Sequence, residues 1–101
     1  MKNRHIYAIL LLAHYMRGDI DVNDNYFDSI KYAIKKCADR YGMLRSTLYN
    51  QCTRKLRIKG INEFYKLSNE YLKKREDGII NIIEKRFYVD NIREEFLTLF
   101  E

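Results

Sequence analysis

An all-α fold, a compact bundle of five or six helices, is the fold class that this sequence predicts. The chain of 101 residues has no proline and only four glycines, too few turn-forming residues for a sandwich or a barrel. Apolar residues recur at intervals of three and four in several segments, the spacing that puts them on one side of a helix. No pair of strand-like segments follows the central helices, so we expect no β-wing. The length favours a single domain over residues 1–101.

The first helix is predicted over residues 3–16. Its apolar run Ile6–Ala13 is too short to span a bilayer. Because no small-x-small cleavage site follows, we interpret the segment as a buried helix rather than a signal peptide. We therefore expect a cytoplasmic protein with no membrane partner. Gly18 should end this helix, and Asn23 or Asp24 should cap the next one.

The second helix has the most regular pattern in the chain. Its apolar residues fall at i, i+3, i+7, i+10 and i+14, and they are Phe27, Ile30, Ile34, Cys37 and Tyr41. We expect this helix to end at Gly42, because glycine adopts the left-handed conformation that closes many helices. Cys37 and Cys52 both occupy apolar positions, so they are predicted to be buried free thiols.

A third and a fourth helix follow. The third is predicted to start between Leu44 and Ser46, to run to about Ile58, and to be closed by Gly60. The fourth is predicted over residues 62–75, where apolar residues again recur at helical spacing.

The C-terminal part is predicted to hold a short apolar helix and a last helix. Residues 76–78 break the chain, the isoleucines of residues 79–83 form the short helix, and residues 85–89 could be extended. Asp90 is the predicted N-cap of the last helix. Because four isoleucines in five positions cannot all face one side, this helix should be covered on more than one side. A second copy could supply part of that cover, so residues 79–101 are a candidate dimerisation element of a homodimer.

The positive charge of the chain is concentrated in its middle. The net charge is +5 and the sequence pI is about 9.2. Residues 34–59 alone have a net charge of +7, whereas residues 75–101 have a net charge of −3. Such a basic block is expected of a protein that contacts nucleic acid, although a solvated basic surface has the same composition.

One segment within this basic block resembles the helix-turn-helix of bacterial and phage DNA-binding proteins, over Ile34 to Lys55. Its central part reads "YGMLRSTLYNQ". Ala38 matches the small residue that lets two helices pack closely, Gly42 matches the turn, and Met43 matches the apolar residue after it. Leu48 matches the inward anchor of the second helix. The resemblance implies that this second helix enters the major groove of DNA.

Two positions depart from the motif. Leu44 stands where such motifs usually have a serine or threonine cap, so either the helix starts uncapped or Ser46 caps it two residues later. Gln51 stands where an apolar residue is common, and Cys52 and Leu56 could take over its packing.

The resemblance implies a helix-turn-helix at about residues 34–58 whose second helix has two faces. Leu48, Cys52 and Leu56 are expected to face the core. The residues of this helix expected to contact DNA are Arg45, Ser46, Thr47, Tyr49, Asn50, Thr53 and Arg54. The flanking cations expected at phosphates are Lys35, Lys36, Arg40, Lys55, Arg57 and Lys59. Arginine and asparagine can pair with guanine and adenine edges, while cations neutralise the backbone.

We therefore predict sequence-specific binding of double-stranded DNA, by a small transcriptional regulator or an accessory DNA-site binder. Two alternatives stay open: a helical protein-interaction module, such as an inhibitor or assembly factor with an incidental basic face, and an RNA binder. No spacing of residues indicates an active site, a metal site, a cofactor or a small-molecule ligand, so we predict no enzyme. The abundance of Lys, Ile, Asn and Tyr suits an AT-rich bacterial or phage genome.

Overall fold

The structure, a computed structural model, describes residues 2–16 and 26–98. These ranges contain six α-helices and one π-helical turn. The helices are α1 (Lys2–Tyr15), α2 (Tyr26–Arg40), α3 (Arg45–Asn50), α4 (Ile61–Lys74), α5 (Gly78–Phe87) and α6 (Arg93–Thr98). The π-helical turn Gln51–Lys55 continues α3 directly. No strand occurs within these ranges, and the predicted all-α fold is confirmed. The residues predicted to end the first helix and to cap the second, Gly18, Asn23 and Asp24, lie outside the described ranges.

Helix α1 is the centre of the bundle. Its residues Ala8–Ala13 are all at most 6% exposed, so this stretch is covered on every side. Helices α2, α3, α4 and α5 and the π-helical turn all contact it. A helix that is apolar all round is stable only when it is enclosed in this way. The sequence-based interpretation of the segment as a buried helix is thus confirmed.

The chain turns between α2 and α3 at Gly42, whose φ is +64°. The N–H of Met43 donates to the carbonyl of Ala38 at 3.0 Å, and the N–H of Gly42 donates to the carbonyl of Asp39 at 3.3 Å. These two bonds form the Schellman motif, which closes a helix with a left-handed residue. The expectation that α2 ends at this glycine is confirmed.

Replacing Gly42 with valine is expected to lower the free energy of unfolding by about 1 kcal/mol or more. A β-carbon at this position would have no atom within 4 Å, so the cost comes from the positive φ alone. Gly60→Ser is the control, because Gly60 is an extended N-cap residue (φ −172°) that is equally uncrowded, and serine is favoured at such a position, so stability should not fall. Thermal or urea unfolding measures both, and equal midpoints for the two variants would contradict the role of Gly42.

Three other helices also end in the left-handed conformation, but without glycine. The residues with positive φ are Arg57 (φ 56°) after the π-helical turn, Arg75 (φ 59°) after α4 and Tyr88 (φ 56°) after α5. The third helix therefore ends at Lys55, and the prediction that it runs to Ile58 and is closed by Gly60 was wrong. Residues 85–87 belong to α5, so the prediction that residues 85–89 are extended was wrong for its first three residues.

Helix α6 is capped from a distance rather than by its own sequence. It begins at Arg93, and the carboxylate Oε2 of Glu84 accepts a hydrogen bond at 3.1 Å from the N–H of Ile92, just before the helix. The prediction that Asp90 is the N-cap was wrong, because Asn91 (φ 60°) turns the chain after it and delays the helix start.

The isoleucines of α5 are covered by the chain itself. Ile79, Ile80 and Ile83 are buried, Ile82 is half-buried, and α5 packs against α4 and α1. The expected cover on more than one side is therefore supplied within one chain. The homodimer stays a prediction, and residues 99–101 of the proposed dimerisation element lie outside the described ranges.

Candidate nucleic-acid interface

Helix α3 begins without a side-chain cap. Leu44 is its N-cap residue, with an extended backbone (φ −72°, ψ 148°), and it makes no capping hydrogen bond. Of the two starts that the sequence left open, the uncapped one is observed, and Ser46 lies inside the helix. The Leu44 side chain is 72% exposed beside Arg45.

The inner face of α3 and of the turn that follows packs as expected. Ala38 of α2 and Leu48, Cys52 and Leu56 are each at most 1% exposed. Burial raises the pKa of the Cys37 thiol to about 12 and that of Cys52 well above its ordinary value. Both cysteines are therefore protonated thiols at neutral pH, and both are free, as predicted.

The outer face of α3 is exposed and carries no acidic side chain. Arg45, Ser46, Tyr49 and Asn50 are all exposed, with Tyr49 at 42%. A groove of about 220 Å³ runs between this face and α2, and it is lined by Lys31, Ile34, Arg45, Ser46 and Tyr49. The structure thus brings together cationic, hydroxyl and aromatic side chains from two helices along one groove.

Lys31 belongs to this groove, although sequence reasoning did not assign it to the site. It is exposed and lies one helical turn before Lys35, which is also exposed. The sequence spacing could have assigned Lys31 to the site, because Lys31 and Lys35 are four residues apart and therefore share one edge of α2. Lys31 lines the groove beside Ile34, whereas Lys35 is not among the lining residues.

Thr53 was predicted to face outward, and this prediction was wrong. It is only 5% exposed, and its hydroxyl donates to the carbonyl of Tyr49 at 2.8 Å. The cause is the π-helical turn Gln51–Lys55, since a wider turn changes which residues point inward after Asn50. Thr47, also predicted as a contact residue, is half-buried, while Arg54 is exposed.

The flanking cations do not all lie on the side of the groove. The ammonium Nζ of Lys36 lies 4.9 Å from the ring centre of Tyr15 in α1, and the guanidinium of Arg40 lies 5.9 Å from the ring centre of Tyr41. Since Tyr41 stacks on Tyr7 of α1, with ring centres 6.4 Å apart, both cations lie toward α1 rather than toward the groove.

The remaining predicted cations follow the π-helical turn. The Nζ of Lys55 lies 5.2 Å from the ring centre of Phe87 in α5, away from α2. Arg57 and Lys59 are exposed after this turn. The backbone N–H of Lys59 donates to Glu63 Oε2 at 3.1 Å, which fixes the start of α4. The predicted contact residues therefore do not share one surface: Arg45, Ser46 and Tyr49 line the groove, Lys36 and Arg40 lie toward α1, and Lys55 lies toward α5.

Comparison with models of protein families, with curated proteins and with solved structures found no significant match. Within residues 2–16 and 26–98, no three histidine, cysteine or carboxylate side chains are grouped as a metal ion would need. None of the described helices combines the length and apolar composition needed to cross a membrane.

Proposed function

We propose that the outer face of α3 binds double-stranded DNA, with α2 and α3 acting as a helix-turn-helix. The observation that carries this proposal is the groove in which Arg45, Ser46 and Tyr49 of α3 meet Lys31 of α2. Basic and hydrogen-bonding side chains without a neighbouring carboxylate on α3 suit a polyanion whose bases are read at their edges.

Base contacts and phosphate contacts are made by different helices in this proposal. Arg45 can donate two hydrogen bonds to guanine O6 and N7, and Asn50 can pair with adenine N6 and N7. Lys31 and Lys35, on the adjacent edge of α2, would neutralise phosphates and release counterions. Sequence would thus be read by α3, while α2 would contribute affinity that depends on salt.

A protein-interaction module is the second candidate, and exposed apolar side chains favour it. Leu44 is 72% exposed at the start of α3, and Tyr32 is 66% exposed on α2. A partner protein could bury both, and its binding would depend on salt far less than binding to DNA does.

Selection of bound fragments from random duplex DNA, followed by a salt titration of the selected site, tests the proposal. We expect one enriched sequence, and an affinity that falls linearly with salt on logarithmic axes. A palindromic site would also support the homodimer, because a two-fold dimer binds two half-sites. Failure to enrich any sequence, or stronger competition by structured RNA than by duplex DNA, would overturn it.

A further inference from the structure

A second cavity, of about 620 Å³, lies between α1, the π-helical turn and the end of α5. It is lined by Arg4, His5, Gln51, Lys55, Phe87, Tyr88 and Val89, so it shares no residue with the groove between α2 and α3. Its volume lies within the range of about 300–1,000 Å³ that small-molecule sites occupy. Its lining residues come from three separate elements, and the proposed DNA contact does not account for it.

The charge of this cavity is positive. Arg4 of α1 and Lys55 of the π-helical turn both line it, and no acidic side chain is among its lining residues. Lys55 is held over the face of Phe87, with its Nζ 5.2 Å from the ring centre. Two cations that line one cavity, with no carboxylate among the lining residues to pair with them, favour an anionic ligand.

The cavity also presents an aromatic surface to solvent. Tyr88 is 92% exposed, the largest exposure among the large hydrophobic side chains that the structure describes. Its backbone is in the left-handed conformation (φ 56°), which tyrosine adopts only at a cost in free energy. An exposed ring at a strained position can stack on a planar group of the ligand.

Gln51 lines the same cavity. Its Oε1 atom is buried and has no hydrogen-bond partner among the residues that the structure describes, and an atom covered in this way is not open to a ligand in the cavity. The polar groups assigned to the ligand are therefore those of Arg4 and Lys55. Gln51 and Lys55 are the first and last residues of the π-helical turn, a feature that often marks functional sites.

We propose that this cavity binds a free mononucleotide. The base stacks on Tyr88, and the phosphate binds Arg4 and Lys55. A nucleotide combines the two properties that the lining residues favour, a planar ring and a negative charge. This site is additional to the proposed DNA-binding face.

The first test is a calorimetric titration of the full chain with the monophosphates of adenosine, guanosine, cytidine and uridine. The free nucleosides and inorganic phosphate are titrated in parallel. We expect at least one mononucleotide to bind more tightly than its nucleoside and than phosphate. The proposal is overturned if none of the four binds, or if phosphate alone binds as tightly as the nucleotides do.

The second test is the substitution Tyr88→Gly, which removes the ring and relieves the left-handed backbone, so the fold should not suffer. We expect nucleotide affinity to fall roughly tenfold, as for the loss of one stacking contact. Arg75→Gly is the matched control, because it relieves a left-handed residue (φ 59°) outside the cavity, and it should leave the affinity unchanged. Equal affinities for the two variants would overturn the site.

Duplex DNA binding of the same variants separates this proposal from the previous one. Tyr88 does not line the groove between α2 and α3, so Tyr88→Gly should leave DNA binding as it is. Loss of nucleotide binding with DNA binding retained supports two independent sites. Loss of both would contradict their independence.

Discussion

Replacing Phe96 with alanine is expected to lower the free energy of unfolding by about 3–5 kcal/mol, a large part of the stability of a small domain. Phe96 is fully buried, and its ring meets the ring of Tyr71 edge to face, with centres 4.5 Å apart. The substitution therefore removes the buried ring of α6 and leaves a cavity against α4. Urea unfolding followed by circular dichroism measures the loss.

The matched control for this substitution is Tyr32→Ala, because Tyr32 is an aromatic residue that is 66% exposed. It should change the free energy of unfolding by no more than about 0.5 kcal/mol. If Phe96→Ala lowered the free energy of unfolding as little as this control does, α6 would contribute little to stability, and the packing of Phe96 on Tyr71 would be contradicted.

Replacing Arg45, Tyr49 and Asn50 together with alanine is expected to weaken binding to the selected DNA site by roughly a hundredfold or more. Each base-reading contact contributes about 1–3 kcal/mol, and tenfold in affinity corresponds to about 1.4 kcal/mol. All three side chains are exposed, so the fold should be retained. Fluorescence anisotropy with a labelled duplex measures the effect.

The control for this triple variant changes the same three residue types elsewhere. Arg75, Asn81 and Tyr88 are exposed and lie on or next to α4 and α5, away from the α2–α3 groove. Alanine at these three positions removes the same charge and the same groups, yet DNA affinity should fall only slightly. Binding that survives substitution of Arg45, Tyr49 and Asn50 would exclude the α3 face as the interface.

The helices that could be predicted from the sequence are those whose apolar residues follow a period of 3.6. In α2, Ile30, Ile34 and Cys37 are buried as their spacing required. The corner at Gly42 was also predictable, because glycine signals a left-handed helix end. The corners at Arg57 and Tyr88 carried no such signal, since neither residue type favours a positive φ.

The candidate site could be predicted more completely on α3 than on the π-helical turn that follows it. Arg45, Tyr49 and Asn50 are exposed on α3, as an α-helical period implies. Thr53 was misplaced because a period of 3.6 does not apply across the π-helical turn. Lys35 and Lys36 are neighbours in sequence, but Lys36 lies toward α1. Which side of α2 faces α1 depends on how the two helices pack, and local sequence does not specify that packing.

The central position of α1 sets an order on folding during synthesis. The buried stretch Ala8–Ala13 is translated before the helices that cover it, and these include α5, which ends at Phe87. At a translation rate of about 5–20 residues per second, several seconds pass between the synthesis of this apolar stretch and that of α5, the last helix that covers it. The nascent chain therefore leaves part of this hydrophobic segment uncovered until α5 has been synthesised, and chaperone binding at that stage would compete directly with assembly of the bundle.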